Sequence, residues 1–191
     1  SEQANNKPTL YALVGLSGSG KSTIAKEYQN KIPGCVIVSS DEIREELCDG
    51  GRADQSKNDE VFRLFHERIR KNLEKHKSVI ADATNITLKS RRAIMDKVNG
   101  LDINKICLIV PKPYEQCLVD NKLREHPIPD EVIEHQRRRF QIPFMEENWT
   151  EIRIVGGFKD RPYKFDEMMK DFDQKSPYHA QTLDMHCQLA A

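Results

Sequence analysis

The chain is 191 residues long, 38% hydrophobic and 31% charged, which suits one domain with a buried core and short extensions. Its 30 basic and 30 acidic residues cancel, so a whole-chain positive field that gathers nucleic acid at long range is excluded, though a local basic groove is not. Its five cysteines make no CxxC pair and no run approaches the ~20 apolar residues of a membrane span, so the expectation is a cytoplasmic protein with no membrane partner.

Residues 1–7, "SEQANNK", carry no signal-peptide pattern and are expected to be a disordered N-terminus. "TLYALVGL" at 9–16 predicts a buried strand, and "TIAKEYQNKI" after the next Gly-rich turn predicts a helix closed by Pro33-Gly34. A second strand is expected at "CVIVSS" (35–40), followed by a short helix at "DEIREEL". "CDGGRADQSK" (48–57) has loop composition. Asn58 and Asp59 are then expected to cap a longer helix carrying Val61, Phe62, Leu64, Phe65, Ile69 and Leu73 at helical spacing. "SVIAD" (78–82) is the third strand, 87–98 a helix, "KICLIV" (105–110) the fourth strand, and "TEIRIV" (150–155) a fifth. Between the last two lie "YEQCLVDNKLR" and "DEVIEHQRRRF", helices on either side of "EHPIP". Short, nearly continuous apolar strands alternating with helices imply a parallel sheet covered on both faces.

"GLSGSGKS" fits G-x-x-x-x-G-K-[ST] through Gly15, Gly20, Lys21 and Ser22, and it stands between a predicted strand and a predicted helix, as that motif requires. Glycines let backbone N–H groups approach phosphate oxygens, and the helix start adds its positive end. Gly15, Ser17, Gly18, Ser19, Gly20, Lys21, Ser22 and Thr23 are therefore the candidate triphosphate cradle. Lys21 would bridge the β- and γ-phosphates and Ser22 would hold Mg2+. ATP with magnesium is the expected cofactor pair. A GTPase is disfavoured because "NKLR" (121–124) has Arg124 where a guanine-reading N-K-x-D needs its aspartate. A small kinase fits the length best, with the fold of a P-loop NTPase: a three-layer α/β/α sandwich with about five parallel strands and a helical lid.

Ligands of open α/β sheets sit beyond the carboxyl ends of the strands, so the residues just after each strand are the next candidates. After the second strand, Asp41 and Arg44 share a helix face; Asp41 could take the proton of an acceptor hydroxyl while Arg44 holds an anionic part of the acceptor. A capping box of Ser39 with Glu42 accounts for the same segment without any chemistry. Asp82 ends the third strand, where an acid supports magnesium or water in many phosphate-loop enzymes; it could equally cap a turn. The helix–loop–helix at about 121–140 has the layout of a lid, with Arg124 reaching the phosphates. Arg137, Arg138 and Arg139 span about 200° of helix, so they cannot all face one ligand. His66, His76, His126 and His135 are expected at the surface, with no compact metal motif.

Together these stretches resemble the kinase domain of the 5′-hydroxyl polynucleotide kinases of phage and bacterial type, over about residues 8–155. The resemblance rests on "GLSGSGKSTIA", "SSDEIRE", "IADATNITLKSRR" and the lid "NKLREHPIPDEVIEHQRRRF". It implies that Asp41 is the general base, that Arg44 binds the acceptor phosphate with support from Asp82 and Asn85, and that Arg124 is the lid arginine on ATP. The lid departs from the viral relatives at Asp120, where they carry an arginine, which implies fewer lid contacts to phosphate or a different acceptor. The tail, 156–191, is similar to the opening of HD-type phosphohydrolase domains, with His179 or His186 in the place of a first metal ligand and the remaining ligands absent. That implies a longer chain fused to an HD-type domain, with an ordinary helical tail as the alternative. A homo-oligomer is compatible with the sequence. The leading expectation is transfer of phosphate from ATP to the 5′-hydroxyl end of RNA or DNA. A kinase of nucleosides, sugars or sugar nucleotides and a non-catalytic ATP-binding regulatory module are the alternatives.

Overall fold

The computed structural model describes residues 6–155. The expectations for residues 1–5 and for the extension at 156–191, including its HD-like histidines, lie outside the described residues. In chain order the elements are β1 (Thr9–Val14), α1 (Lys21–Lys31), β2 (Val36–Ser39), α2 (Ser40–Leu47), α3 (Asn58–Glu74), β3 (Val79–Asp82), α4 (Leu88–Lys97), β4 (Asn104–Ile109), α5 (Tyr114–Asn121), α6 (Asp130–Arg139) and β5 (Glu151–Ile154). Single 3-10 turns at Gly51–Ala53 and Met145–Glu147 precede α3 and β5.

The five strands form one parallel sheet in the order β2-β3-β1-β4-β5. β1 is central, its Tyr11 standing between Ile80 of β3 and Ile106 of β4. Both faces of a strand in that position are covered, which is why all six residues of β1 are buried and its sequence lacks polar alternation. Side-chain alternation sorts the core into two layers. Tyr11, Leu13, Ile80, Ile106 and Leu108 face Ile24 and Ala25 of α1. On the other face Leu10, Val79 and Ala81 meet Val61, Phe65, Ile69 and Leu73 of α3 and Ile94 of α4. Further along that face Ala12, Val14, Cys107 and Ile109 meet Ile133 of α6 with Phe140 and Trp149. The result is the expected three-layer α/β/α sandwich.

Some local expectations change once the chain is folded. Ser39 does cap α2, accepting from the Glu42 N–H at 3.2 Å. Asn58, expected as a cap, makes no capping bond; its carboxamide oxygen accepts from Arg44 Nη2 at 2.9 Å instead. α5 stops at Asn121 rather than running to Arg124, because the Asn121 amide donates to the Ile128 carbonyl (2.7 Å) and accepts from the Ile128 N–H (3.1 Å), pinning the lid loop. His66 is half-buried against Phe62 and Phe65, and burial lowers its pKa. The described cysteines, Cys35, Cys48, Cys107 and Cys117, are all buried thiols, and no helix among the described residues is long and apolar enough to cross a membrane.

One polar post crosses the hydrophobic layer. Arg91 of α4 is fully buried and grips Glu147 through two bonds of 2.7 and 3.0 Å, with its third nitrogen on the Asn85 carbonyl at 2.9 Å. Glu147 also accepts from Trp149 Nε1 at 3.1 Å and from the Phe144 N–H at 3.2 Å. Every lone pair direction is used, the condition under which a buried ion pair is tolerated. It ties the turn before β5 to the loop that leaves β3.

Candidate active site

The turn between β1 and α1 is shaped by what its glycines exclude. Gly18 (φ +85°) and Gly20 (φ +94°) hold left-handed backbone that side chains rarely adopt. A Cβ on Gly18 would also lie 2.5 Å from the Cys117 carbonyl oxygen, and one on Gly15 would lie 2.7 Å from Ser19 Oγ. The loop is fastened at its base by the Gly15 N–H on the Thr84 carbonyl (3.0 Å). Ser19 Oγ is buried with no hydrogen-bond partner among the described residues, a polar atom waiting for a ligand oxygen. Ser22 and Thr23 stand exposed in the first turn of α1, which supplies its positive end with no acidic residue in that turn.

Lys21 Nζ donates to the Leu16 carbonyl at 2.8 Å, leaving two of its protons for phosphate oxygens. Burial pushes its pKa down to about 8, against the opposing pull of Asp82; the positive charge of Arg124 adds to the depression, while Asp41 opposes it. Ser22 Oγ donates to Asp82 Oδ2 at 3.3 Å. Burial raises the Asp82 pKa, Lys21 offsets this, and the negative charge of Asp41 raises it further. These mutual effects mean that Lys21, Asp82 and Asp41 lie within one electrostatic neighbourhood, drawn from the start of α1, the end of β3 and the start of α2.

Asp41 Oδ1 accepts from Arg44 Nη1 at 2.9 Å, and its side chain is 43% exposed while that of Arg44 is 7% exposed. Arg44 has both terminal nitrogens engaged, by Asp41 and by Asn58, and its buried Nε has no partner among the described residues. In this arrangement Arg44 holds the Asp41 carboxylate toward solvent. Asn85 is 4% exposed, with φ +47°, and its amide donates to the Leu13 carbonyl at 2.8 Å. It braces the turn after β3 against β1 rather than facing an open surface.

The lid meets the phosphate turn directly. Gln136 of α6 accepts from the Ser17 N–H at 2.9 Å and donates to Ser17 Oγ at 3.0 Å. Lys112, ahead of α5, donates to the Gly18 carbonyl at 2.9 Å and pairs with Asp120, which also accepts from Gln116 at 2.7 Å. Asp120, the departure from the viral lid pattern, thus orients a lysine onto the phosphate turn. Arg124 follows α5 in the lid loop, held by its N–H on the Asn121 carbonyl at 3.1 Å.

Gln136, Lys112 and Glu147 were not among the residues the sequence marks out. The first two lie 119 and 94 residues from their partners, so no local spacing signals them. Among the described residues no group of three or more His, Cys, Asp or Glu side chains is placed to hold a metal. The Ser22 hydroxyl and Asp82 carboxylate form a hard-oxygen pair of the kind that suits a magnesium ion whose other ligands are water and phosphate.

The model of the AAA domain family matches residues 10–143. Among known proteins, the chain is 30% identical over 145 residues to the L-seryl-tRNA(Sec) kinase of Methanococcus maripaludis, covering 73% of this chain and 55% of that protein. It is 26% identical over 174 residues to the bifunctional polynucleotide phosphatase/kinase of Schizosaccharomyces pombe, covering 88% of this chain and 36% of that protein. It therefore spans about half or less of the length of these relatives. Among solved structures, Chaetomium thermophilum Kti12 in complex with ADP-AlF3 superimposes with a TM-score of 0.64 at 16% identity, covering 86% of this chain and 96% of that one. A gluconokinase from Sinorhizobium meliloti superimposes with a TM-score of 0.55 at 15% identity, covering 96% of each chain. With the phosphate turn, the parallel sheet and the lid in place, the chain belongs to the AAA domain family and has the P-loop kinase fold.

Proposed function

We propose that this domain transfers the γ-phosphoryl group of ATP to the 5′-hydroxyl end of a polynucleotide, RNA or DNA. The observation that carries the reading is the convergence of Lys21, the Ser22–Asp82 pair and the Arg44-held Asp41 beyond the carboxyl ends of the strands. The polynucleotide kinase relative and the tRNA-directed relative both support an acceptor on nucleic acid.

The residues divide the work by charge. The N–H groups of Gly18 and of Gly20 to Thr23, with the start of α1, bind the triphosphate, Ser19 adds its hydroxyl, and Lys21 spreads its positive charge over the β- and γ-oxygens. Ser22 and Asp82 would hold Mg2+, which when bound neutralises charge on those oxygens. Asp41 accepts the proton of the attacking hydroxyl as the oxygen–phosphorus bond forms, and Arg44 fixes the carboxylate while adding positive charge on the acceptor side. Arg124 offsets the charge that grows on the phosphoryl oxygens and leaves with ADP. The negative charges of Asp82 and Asp41 disfavour one another, and a bound cation would relieve that repulsion.

A γ-labelled ATP transfer screen across 5′-hydroxyl oligonucleotides, nucleosides and sugars tests this. Label on oligonucleotides and none on free sugars is the expected result. The zero net charge and the gluconokinase likeness favour a second reading, a small-molecule kinase, and label on sugars or nucleosides alone would establish it in place of the first.

A further inference from the structure

A second cationic feature lies outside the phosphate turn. Between the start of α4 and the end of α6 the surface opens into a cleft of about 360 Å³ lined by Lys89, Arg92, Arg138, Arg139 and Gln141, with no acidic residue in its wall. All four basic side chains are exposed, and none has an ion-pair partner among the described residues. Surface arginines here usually find a carboxylate: Arg52, Arg63, Arg68, Arg70 and Arg153 all do. Four like charges around one hollow repel one another, which is a cost unless an anion offsets it.

The cleft is joined to the active site by hydrogen bonds and short chain connections. Its floor is stitched by the Gln141 N–H on the Ile86 carbonyl (2.8 Å) and the Leu88 N–H on Gln141 Oε1 (2.7 Å). The chain reaches Thr87 and Leu88 directly from Asp82 through the turn braced by Asn85 and Arg91. On the other wall, α6 touches the phosphate turn at Gln136, and Arg139 follows about 5 Å further along the helix axis. The arginine triplet divides accordingly: Arg137 stacks on the Tyr114 ring at 4.4 Å, while Arg138 and Arg139 line the cleft.

We infer that this cleft is a subsite for the phosphodiester backbone of the acceptor strand, one or more nucleotides inward from the end held by Asp41. The inference rests on the polynucleotide reading above and gives it a length requirement that no single-sugar acceptor would show. Arginine forks and an ammonium, spread along a groove and free of base-reading carboxamides apart from the already engaged Gln141, match a repeating anion rather than one compact group.

The test compares the wild type with the Arg92→Ala/Arg139→Ala double variant on 5′-hydroxyl oligonucleotides of two, four and eight nucleotides. KM for wild type should fall with length, and the variant should raise KM for the eight-mer about tenfold while leaving kcat and the dinucleotide KM unchanged. Binding of a fluorescent eight-mer, followed by anisotropy over a salt series, should lose about 1.4 from its log–log slope, two contacts at about 0.7 each on a single strand. A length-independent wild-type KM, or an unchanged slope in the double variant, overturns the subsite. If no oligonucleotide is phosphorylated but a sugar is, the proposed acceptor falls, while the anisotropy slope still decides whether the cleft binds a backbone.

Discussion

The Lys21 ammonium offers the sharpest test of the phosphate turn, because its proton affinity is set by the fold. Burial holds its pKa at about 8, so at pH 8.5 about three-quarters of the molecules carry it neutral. Triphosphate oxygens beside Nζ favour the charged form, so the nucleotide-bound state holds more protons than the free one. By linkage, binding must then strengthen as pH falls and weaken as pH rises through 8. Taking Lys21 as fully protonated in the complex, the protonated share of the free protein drops from about ten-elevenths at pH 7 to one-eleventh at pH 9. The apparent Kd for ATP should rise about tenfold over that range, or about 1.4 kcal/mol. Isothermal titration at pH 8.5 in two buffers of different ionisation enthalpy should report uptake of about three-quarters of a proton per ATP bound. Lys21→Arg keeps the charge but cannot lose it, so its uptake at this pH should vanish even if its affinity is poor. Equal heats in the two buffers for the wild type, or the same uptake in the arginine variant, would refute the assignment of the perturbed proton to Lys21.

Three further outcomes follow from named contacts. Asp41→Asn should lower transfer by about 10²–10⁴-fold while leaving ATP affinity within a factor of about two, read by single-turnover kinetics beside titration calorimetry; full turnover would remove Asp41 as base. Glu147→Gln leaves the Arg91 charge buried without its counter-ion and should cost about 3–5 kcal/mol in urea-unfolding stability, with a loss under about 1 kcal/mol showing that the post is not structural. Gly18→Ala puts a methyl group against the Cys117 carbonyl on left-handed backbone, so nucleotide binding should fall by at least tenfold in calorimetry, and wild-type affinity would mean the turn relaxes freely.

How far the site was legible follows the range of each interaction. The phosphate turn is encoded locally: glycines at 18 and 20 set left-handed backbone, Gly15 leaves room for the Ser19 hydroxyl, and a strand and a helix flank them in sequence. The Ser39 cap and the Asp41–Arg44 pair are likewise within a single helical turn. The shared helix face of Asp41 and Arg44 was legible, but Arg44 read as a holder of the acceptor and not as a donor to Asp41, and Asn58 was missed because a residue that starts a helix reads as a cap until a distant guanidinium claims it. The Ser22–Asp82 contact bridges 60 residues and was suggested only by the rule that ligands gather at strand ends.

What the sequence determined by itself is the alternation of buried strands and amphipathic helices, the cradle and the order of the candidate groups along the chain, because burial pattern and turn chemistry act over a few residues. The tertiary structure alone decided which groups meet: Gln136 on Ser17, Lys112 held by Asp120 on Gly18, Arg91 on Glu147, and four cations around one cleft with no ion-pair partner among the described residues. Those meetings depend on the strand order β2-β3-β1-β4-β5, which sets segments far apart in the chain side by side. No local pattern carries that order, since it is fixed by how the two apolar faces of the sheet are covered.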